Sequence, residues 1–211
     1  MTGHEEARAE VLARIRAALS TGASAPAGIP RGYLTDASMG APELIERLTE
    51  RLHDYGTSVR RCPADGVAQA VRAALAEHGA RRVVLPPGLT LDGVSQDGVE
   101  FLSGDGLSPE ALDTADGVIT TAALAIAETG TIVLDGGSGQ GRRALSLVPD
   151  YHLCILHASQ IVGIVPQALQ RLEPGRPCTW ISGPSATSDI ELDRVQGVHG
   201  PRTLEVILAG A

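Results

Sequence analysis

Lysine is absent from the 211-residue sequence, because all 17 basic residues are arginines. This absence excludes the phosphate-binding lysine of Walker loops, a Schiff-base lysine and a lysine general base. Aromatic residues make up only 2% of the chain, so the stacking platforms of single-strand nucleic-acid binders are missing. A formal charge of −8 also disfavours binding to phosphate backbones. We therefore expect no nucleic-acid partner.

Cysteine is scarce and scattered, with only Cys62, Cys154 and Cys178. No C-x-x-C pair or finger-like spacing occurs, which argues against a disulfide framework or a metal or iron–sulfur site in this chain. Cys154 lies in an apolar run and is interpreted as a buried structural thiol. No spacing favours a metal site built from the remaining candidates, which are His152, His157, Asp189 and His199. We expect neither a metal nor a cofactor in this chain.

Long apolar runs are also missing. No stretch approaches the roughly 18 apolar residues of a membrane-spanning helix. The first residues, Met-Thr-Gly-His-Glu-Glu, are polar and lack the apolar region of a secretory signal. The expectation is a cytoplasmic protein without a membrane span.

Residues 1–41 predict a helix and a connector, ahead of one folded domain over residues 42–211. Helical spacing in residues 5–19 is marked by Val11, Leu12, Ile15 and Leu19. Residues 21–40 are rich in Gly, Ala, Ser and Pro and lack apolar periodicity, which is typical of extended connectors. The remaining length suits a single α/β domain.

Strand-like and helical segments alternate in the predicted domain, and such alternation predicts a mostly parallel sheet in a three-layer α/β/α arrangement. The predicted strands are residues 57–61, 82–85, 117–120, 131–134, 151–156, 179–181 and 204–208. The predicted helices are residues 42–56, 65–77 and 161–172. We expect one sheet of six or seven strands.

Two segments combine small residues with charge. Residues 127–131 read Ala-Glu-Thr-Gly-Thr, so Glu128 is either a site carboxylate or an exposed charge at a strand entry, with Thr129 and Gly130 beside it. Residues 135–143 hold four glycines and end in Arg142 and Arg143, a composition that suits an anion-binding loop. The alternative is a flexible loop with solvated arginines, and the dinucleotide fingerprint G-x-G-x-x-G is not met.

A third segment brings hydroxyls, carboxylates, a histidine and an arginine together at two Gly/Pro-bounded turns, residues 183–191 and 197–202. The predicted catalytic residues of the whole chain are Glu128, Asp189 and His199. The predicted substrate-binding residues are Thr129, Gly130, Arg142, Arg143, Ser185, Thr187, Glu191 and Arg202. Because ligands of open α/β sheets bind at strand carboxyl ends, we expect these residues to converge there, with Arg202 pairing a substrate carboxylate. The alternative is that Asp189 and Arg202 pair with each other and only stabilise the turns.

The third segment, Gly-Pro-Ser-Ala-Thr-Ser-Asp-Ile-Glu followed by Gly-Val-His-Gly-Pro-Arg, resembles the closing signature of the LUD-domain family. The Ala-Glu-Thr-Gly-Thr stretch and an Arg-x-x-Ser-x-x-Pro-x-x-His stretch over residues 143–152 are similar to that family as well. The resemblance covers residues 115–208. It implies a fold like that of the sugar-phosphate isomerase and CoA-transferase group.

The same resemblance implies a role in oxidising L-lactate to pyruvate, a small carboxylate substrate and two partner proteins that carry iron–sulfur clusters. Two alternatives stay open. One is a stand-alone CoA-transferase-like or isomerase-like enzyme for a small carboxylate or phosphorylated substrate, with Glu128 as nucleophile or base. The other is a non-catalytic module that senses a carboxylate.

Overall fold

The computed structural model describes residues 3–20, 28–91, 93–94, 98–187, 195–197 and 199–211. The described residues form two compact units that divide after Leu34. The first unit contains helix α1 (Gly3–Ser20), which confirms the predicted N-terminal helix. Its apolar residues Val11, Ile15 and Leu19 are exposed. No helix among the described residues is long and apolar enough to cross a membrane.

The second unit contains the remaining elements, which alternate along the chain. Its helices are α2 (Ala41–Asp54), α3 (Val67–His78), α4 (Pro109–Asp113) and α5 (Val165–Arg171). Its first six strands are β1 (Ser58–Cys62), β2 (Arg82–Leu85), β3 (Glu100–Ser103), β4 (Gly117–Thr121), β5 (Leu124–Ile126) and β6 (Thr131–Leu134). The others are β7 (Tyr151–His157), β8 (Ile161–Val162), β9 (Thr179–Ile181), β10 (Ala186–Thr187), β11 (Val195–Gln196) and β12 (Thr203–Ala209).

A six-stranded sheet in the order β1-β12-β7-β4-β2-β3 forms the centre of this unit. Every neighbouring pair in it is parallel, which confirms the predicted α/β class. The central strands β7 and β12 pair over seven residues each. Their near-continuous apolar sequences are those expected of parallel strands that are buried on both faces.

Alternate side chains of β7 pack on opposite faces of the large sheet. Tyr151, Leu153 and Ile155 pack on the face that α3 covers. Cys154 and Leu156 pack on the opposite face, against α2 and a second sheet. Helix α3 ends at His78 and is followed by Gly79, whose φ of +71° is readily adopted only by glycine. The helices therefore lie on both sides of the parallel sheet, as predicted.

The expectation of one continuous sheet is wrong, because a separate four-stranded sheet has the order β8-β5-β6-β9. One face of this sheet, including Ile132, packs toward the large sheet, and the other, including Val133, packs on α5. Both faces are thus buried, and an apolar strand sequence does not tell which sheet the strand joins.

The predicted helix over residues 161–172 is also wrong in its first part. Ile161 and Val162 instead pair with β5 as strand β8. Pro166 fits the first turn of the helix that follows, where its missing N–H costs no hydrogen bond. Strand β3 and helix α4 are additional elements that the sequence pattern did not predict.

Candidate functional site

A partly enclosed cavity of about 300 Å³ lies between the two sheets, near the amino-terminal ends of β7 and β12. His152 and Leu204, each the second residue of its strand, line the side of the large sheet. Residues 179–185, which comprise β9 and the turn after it, line the other side. Residues from the segments 143–147 and 199–201 complete the wall. The lone tryptophan, Trp180, is among the lining residues.

His152 is the most deeply buried polar group of the cavity wall, with 1% of its surface exposed. Its Nε2 atom lies 2.7 Å from Oγ1 of Thr120, a buried residue of the adjacent strand β4. Burial without a neighbouring acid lowers the pKa of this imidazole to about 4. His152 is therefore neutral at pH 7 and can either accept or donate a hydrogen bond.

Ser185 and His199 are held together by backbone hydrogen bonds between the two turns of the third segment. The Ser185 amide donates to the Pro201 carbonyl at 2.8 Å, and the Gly197 amide donates to the Ser185 carbonyl at 3.2 Å. The His199 amide donates to Oγ of Ser185 at 3.1 Å. Because this hydroxyl accepts from His199, its own proton is available to a ligand in the cavity.

Arg143 is the cation of the cavity wall. It begins a short 3₁₀ turn (Arg143–Ser146) that leads the chain toward β7. Among the described residues, no carboxylate lies within ion-pair distance of its guanidinium. The adjacent Arg142 is placed differently, since its guanidinium donates to the Leu107 carbonyl. Only one of the two predicted anion-binding arginines thus lines this cavity.

Arg202 lies beside the cavity but is paired within the chain. Its Nη2 and Nε atoms lie 2.6 and 2.9 Å from Oδ2 of Asp150, and Nε lies 2.8 Å from Oδ1. The Arg202 guanidinium holds the pKa of the Asp150 carboxyl below its ordinary value. The carboxylate that Arg202 contacts is therefore its own chain's Asp150, which the sequence analysis did not single out.

Glu128, Thr129 and Gly130 form the turn between β5 and β6. The carboxylate of Glu128 lies 3.9 Å from Nε of Arg47 and 3.7 Å from Nη2 of Arg51, both on α2. A Cβ atom on Gly130 would stand 2.7 Å from Cβ of Arg51, so this close approach requires glycine. Glu128 does not line the cavity.

Hydroxyl groups nevertheless connect this turn with the cavity wall. Oγ1 of Thr129 lies 2.7 Å from Oγ1 of Thr131, which lies 2.9 Å from Oγ of Ser182, a lining residue. Gly183, with φ at +84°, packs on Tyr55 immediately after α2. Arg143, Ser185 and His199 therefore lie near the amino-terminal edge of the large sheet, with Thr129 linked to the same cavity wall through Thr131 and Ser182, although the sequence analysis expected the carboxyl-terminal edge.

The glycine-rich loop lies at that carboxyl-terminal edge instead. The amide of Gly139 donates to the Pro87 carbonyl after β2, and the amide of Thr121 at the end of β4 donates to the Gly139 carbonyl. Two amides of the loop, those of Asp135 and Gly136, donate to Oε1 of Gln140. The side chain of Gln140 thus occupies amides that the sequence analysis assigned to an anion.

Two predicted residues, Asp189 and Glu191, lie outside the described residues, and for Thr187 only the backbone, in β10, is described. His152 and Ser146 are cavity residues that the site prediction missed. The signal that points to them is the Arg-x-x-Ser-x-x-Pro-x-x-His stretch, because three of its four defining residues line the cavity. Within the described part of the chain, no three His, Cys, Asp or Glu side chains are grouped as a metal ion would need.

Comparison with known proteins identifies the family. A model of the LUD domain matches residues 45–209. The chain is 42% identical over 210 residues to Lactate utilization protein C of Deinococcus radiodurans, covering 97% of this chain and 96% of that protein. It is 35% identical over 176 residues to Lactate utilization protein C of Halalkalibacterium halodurans, covering 75% and 76%.

A solved structure agrees with the fold. The crystal structure of a DUF162 family protein from Deinococcus radiodurans, at 1.70 Å resolution, matches this chain with a TM-score of 0.70 and 38% sequence identity. The match covers 82% of this chain and 99% of that one. The resemblance inferred from the sequence motifs is confirmed by these matches, and the chain belongs to the LUD domain family.

Proposed function

We propose that this chain is a subunit of a system that oxidises L-lactate to pyruvate, and that its cavity binds the carboxylate of lactate or pyruvate. The observation that carries the proposal is Arg143 in the wall of the 300 Å³ cavity, without a carboxylate partner among the described residues. A guanidinium binds a carboxylate through two parallel hydrogen bonds. The names of the relatives, Lactate utilization protein C, support lactate as the ligand.

The polar groups around Arg143 suit a 2-hydroxy or 2-keto acid. Lactate has a hydroxyl beside its carboxylate, and pyruvate has a keto oxygen at the same place. Ser185 can donate a hydrogen bond to either oxygen, and the neutral imidazole of His152 can accept one from the hydroxyl of lactate. The guanidinium of Arg143, the hydroxyl of Ser185 and the neutral imidazole of His152 thus match the charge and polarity of lactate.

The chemistry also requires an electron acceptor, because converting lactate to pyruvate releases two electrons and two protons. We assign the electrons to iron–sulfur clusters in two partner proteins, as the family resemblance implies. This chain would then bind the substrate and hold its reacting carbon in place. His199, which lines the same cavity on an exposed turn, is the group we propose to carry the released protons toward solvent.

Binding can be measured on the full chain through the fluorescence of Trp180 and through thermal unfolding. L-lactate or pyruvate at 100 times its dissociation constant should stabilise the protein by about 2.7 kcal/mol. The substitution Arg143→Gln should abolish both signals. Arg142→Gln is the matched control, because its guanidinium contacts Leu107 and not the cavity.

Three outcomes contradict the binding proposal. The first is the absence of any signal with L-lactate and pyruvate, and the second is an equal loss of signal in both arginine variants. The third is saturable binding of a CoA ester or sugar phosphate in place of the two acids, which supports the stand-alone enzyme instead.

The subunit role needs a separate experiment. Affinity purification of the tagged full chain from cells grown on lactate should recover two iron-containing proteins with visible absorbance. The recovered complex should reduce a dye in the presence of L-lactate, and Arg143→Gln should abolish this reduction while the proteins still co-purify. Recovery of the chain without iron-containing proteins would contradict the proposed complex.

A further inference from the structure

A second cavity, of about 650 Å³, adjoins the first. Four of the described residues line both cavities, namely Arg143, Leu147, His199 and Gly200. The two cavities are therefore neighbouring parts of one cleft. A ligand that is longer than lactate and bound to Arg143 in the first part would extend into the second part.

In the second cavity, the guanidinium of Arg202 already forms an ion pair within the chain. Arg202 binds the carboxylate of Asp150 with two nitrogen atoms, at 2.6 to 2.9 Å. The backbone amide of Arg202 adds a third donor to Oδ1 of Asp150, at 3.2 Å. The other acidic lining residue is Asp113, which is exposed. The described lining residues thus include two carboxylates and two guanidinium groups, of which Asp150 and Arg202 form an ion pair while Arg143 and Asp113 have no ion-pair partner.

From this arrangement we infer that Asp150 restricts the cleft to ligands with a single carboxylate, and that it does so by occupying Arg202. The inference rests on the proposed function, because it takes Arg143 as the group that binds the first carboxylate. A second carboxylate, as in a four-carbon 2-hydroxy diacid, would enter the second cavity next to Asp150 and Asp113. It would meet like charges there, and apart from Arg143 the described lining residues offer no guanidinium without an ion pair, so the free-energy cost of removing the carboxylate from water would not be offset.

The test compares L-lactate with L-malate, since both are 2-hydroxy acids and only malate has a second carboxylate. Dissociation constants are measured by isothermal titration calorimetry on the full chain. The wild-type protein should bind L-lactate more tightly than L-malate. In Asp150→Asn, Arg202 becomes free for the second carboxylate, and the affinity ratio of malate to lactate should rise about tenfold. The asparagine oxygen can still accept from the Arg202 amide.

A double variant separates charge from local structure. Asp150→Asn combined with Arg202→Gln again leaves Arg143 as the one guanidinium without an ion pair among the described lining residues, so the ratio should return toward the wild-type value. If Asp150→Asn does not fold, Arg202→Gln alone gives the opposite test. It leaves Asp150 without its partner, and the ratio of malate to lactate should fall below that of the wild type.

The outcomes distinguish the two proposals. Tight lactate binding together with equally tight malate binding in the wild type, or a ratio that Asp150→Asn leaves unchanged, overturns the role of Asp150 and leaves the proposed function intact. A wild-type protein that binds neither lactate nor pyruvate overturns the proposed function and, with it, this inference.

Discussion

Burial of His152 makes the stability of the fold depend on pH in a defined direction. The pKa of its imidazole falls from an ordinary value of 6.5 to about 4 in the folded protein. The unfolded chain therefore binds a proton at this residue below about pH 6.5, whereas the folded chain does so only near pH 4. The free energy of unfolding therefore decreases as the pH is lowered from 6.5 to 4, whereas above pH 6.5 it does not depend on the titration of His152. At about 1.36 kcal/mol per pH unit, the loss reaches about 3 kcal/mol.

Urea denaturation at a series of pH values measures this effect in the wild type and in His152→Gln. Glutamine can still hydrogen-bond to Thr120 but does not titrate. Between pH 6.5 and 4 the wild type should lose about 3 kcal/mol more than the variant. The exposed His53 supplies the control, because His53→Gln should keep the wild-type slope. Parallel pH dependences for the wild type and His152→Gln would refute the buried neutral imidazole.

Three further changes test the packing. Gly183→Ala should lower the free energy of unfolding measured in urea by about 1–3 kcal/mol, because φ is +84° and the new Cβ would stand 2.6 Å from Cβ of Tyr55. Gly56→Ala, where φ is +78° and the space is open, should lower the free energy of unfolding by less. Burial raises the pKa of the Cys154 thiol to about 12. Cys154 should therefore be the slowest cysteine to react with iodoacetamide in the native protein and should react readily in urea, which mass spectrometry can measure. Deleting residues 1–34 should leave a cooperative melt within a few degrees of the full chain, because every hydrophobic cluster in the described part of the chain lies between residues 44 and 208.

The parallel sheet and its helices follow from local sequence patterns. Apolar runs such as residues 151–156 are long enough to identify buried strands, and the spacing of Leu48 and Leu52 identifies the buried face of α2. Which strands pair is a different question. The strands β5 and β6 are as apolar as β4, yet they form a second sheet, because their short turn at Glu128 makes them an antiparallel pair that packs on α2.

In the candidate site, too, some features follow from local sequence and others from the fold. The residue types of the site follow from the sequence alone, and three of the predicted residues, Arg143, Ser185 and His199, line the cavity. The partners of the predicted residues depend on the fold. Arg202 contacts Asp150, which precedes β7, because β7 and β12 start side by side in the sheet. Residues that are 52 positions apart come together through strand register, and register depends on long-range packing that no local sequence pattern contains.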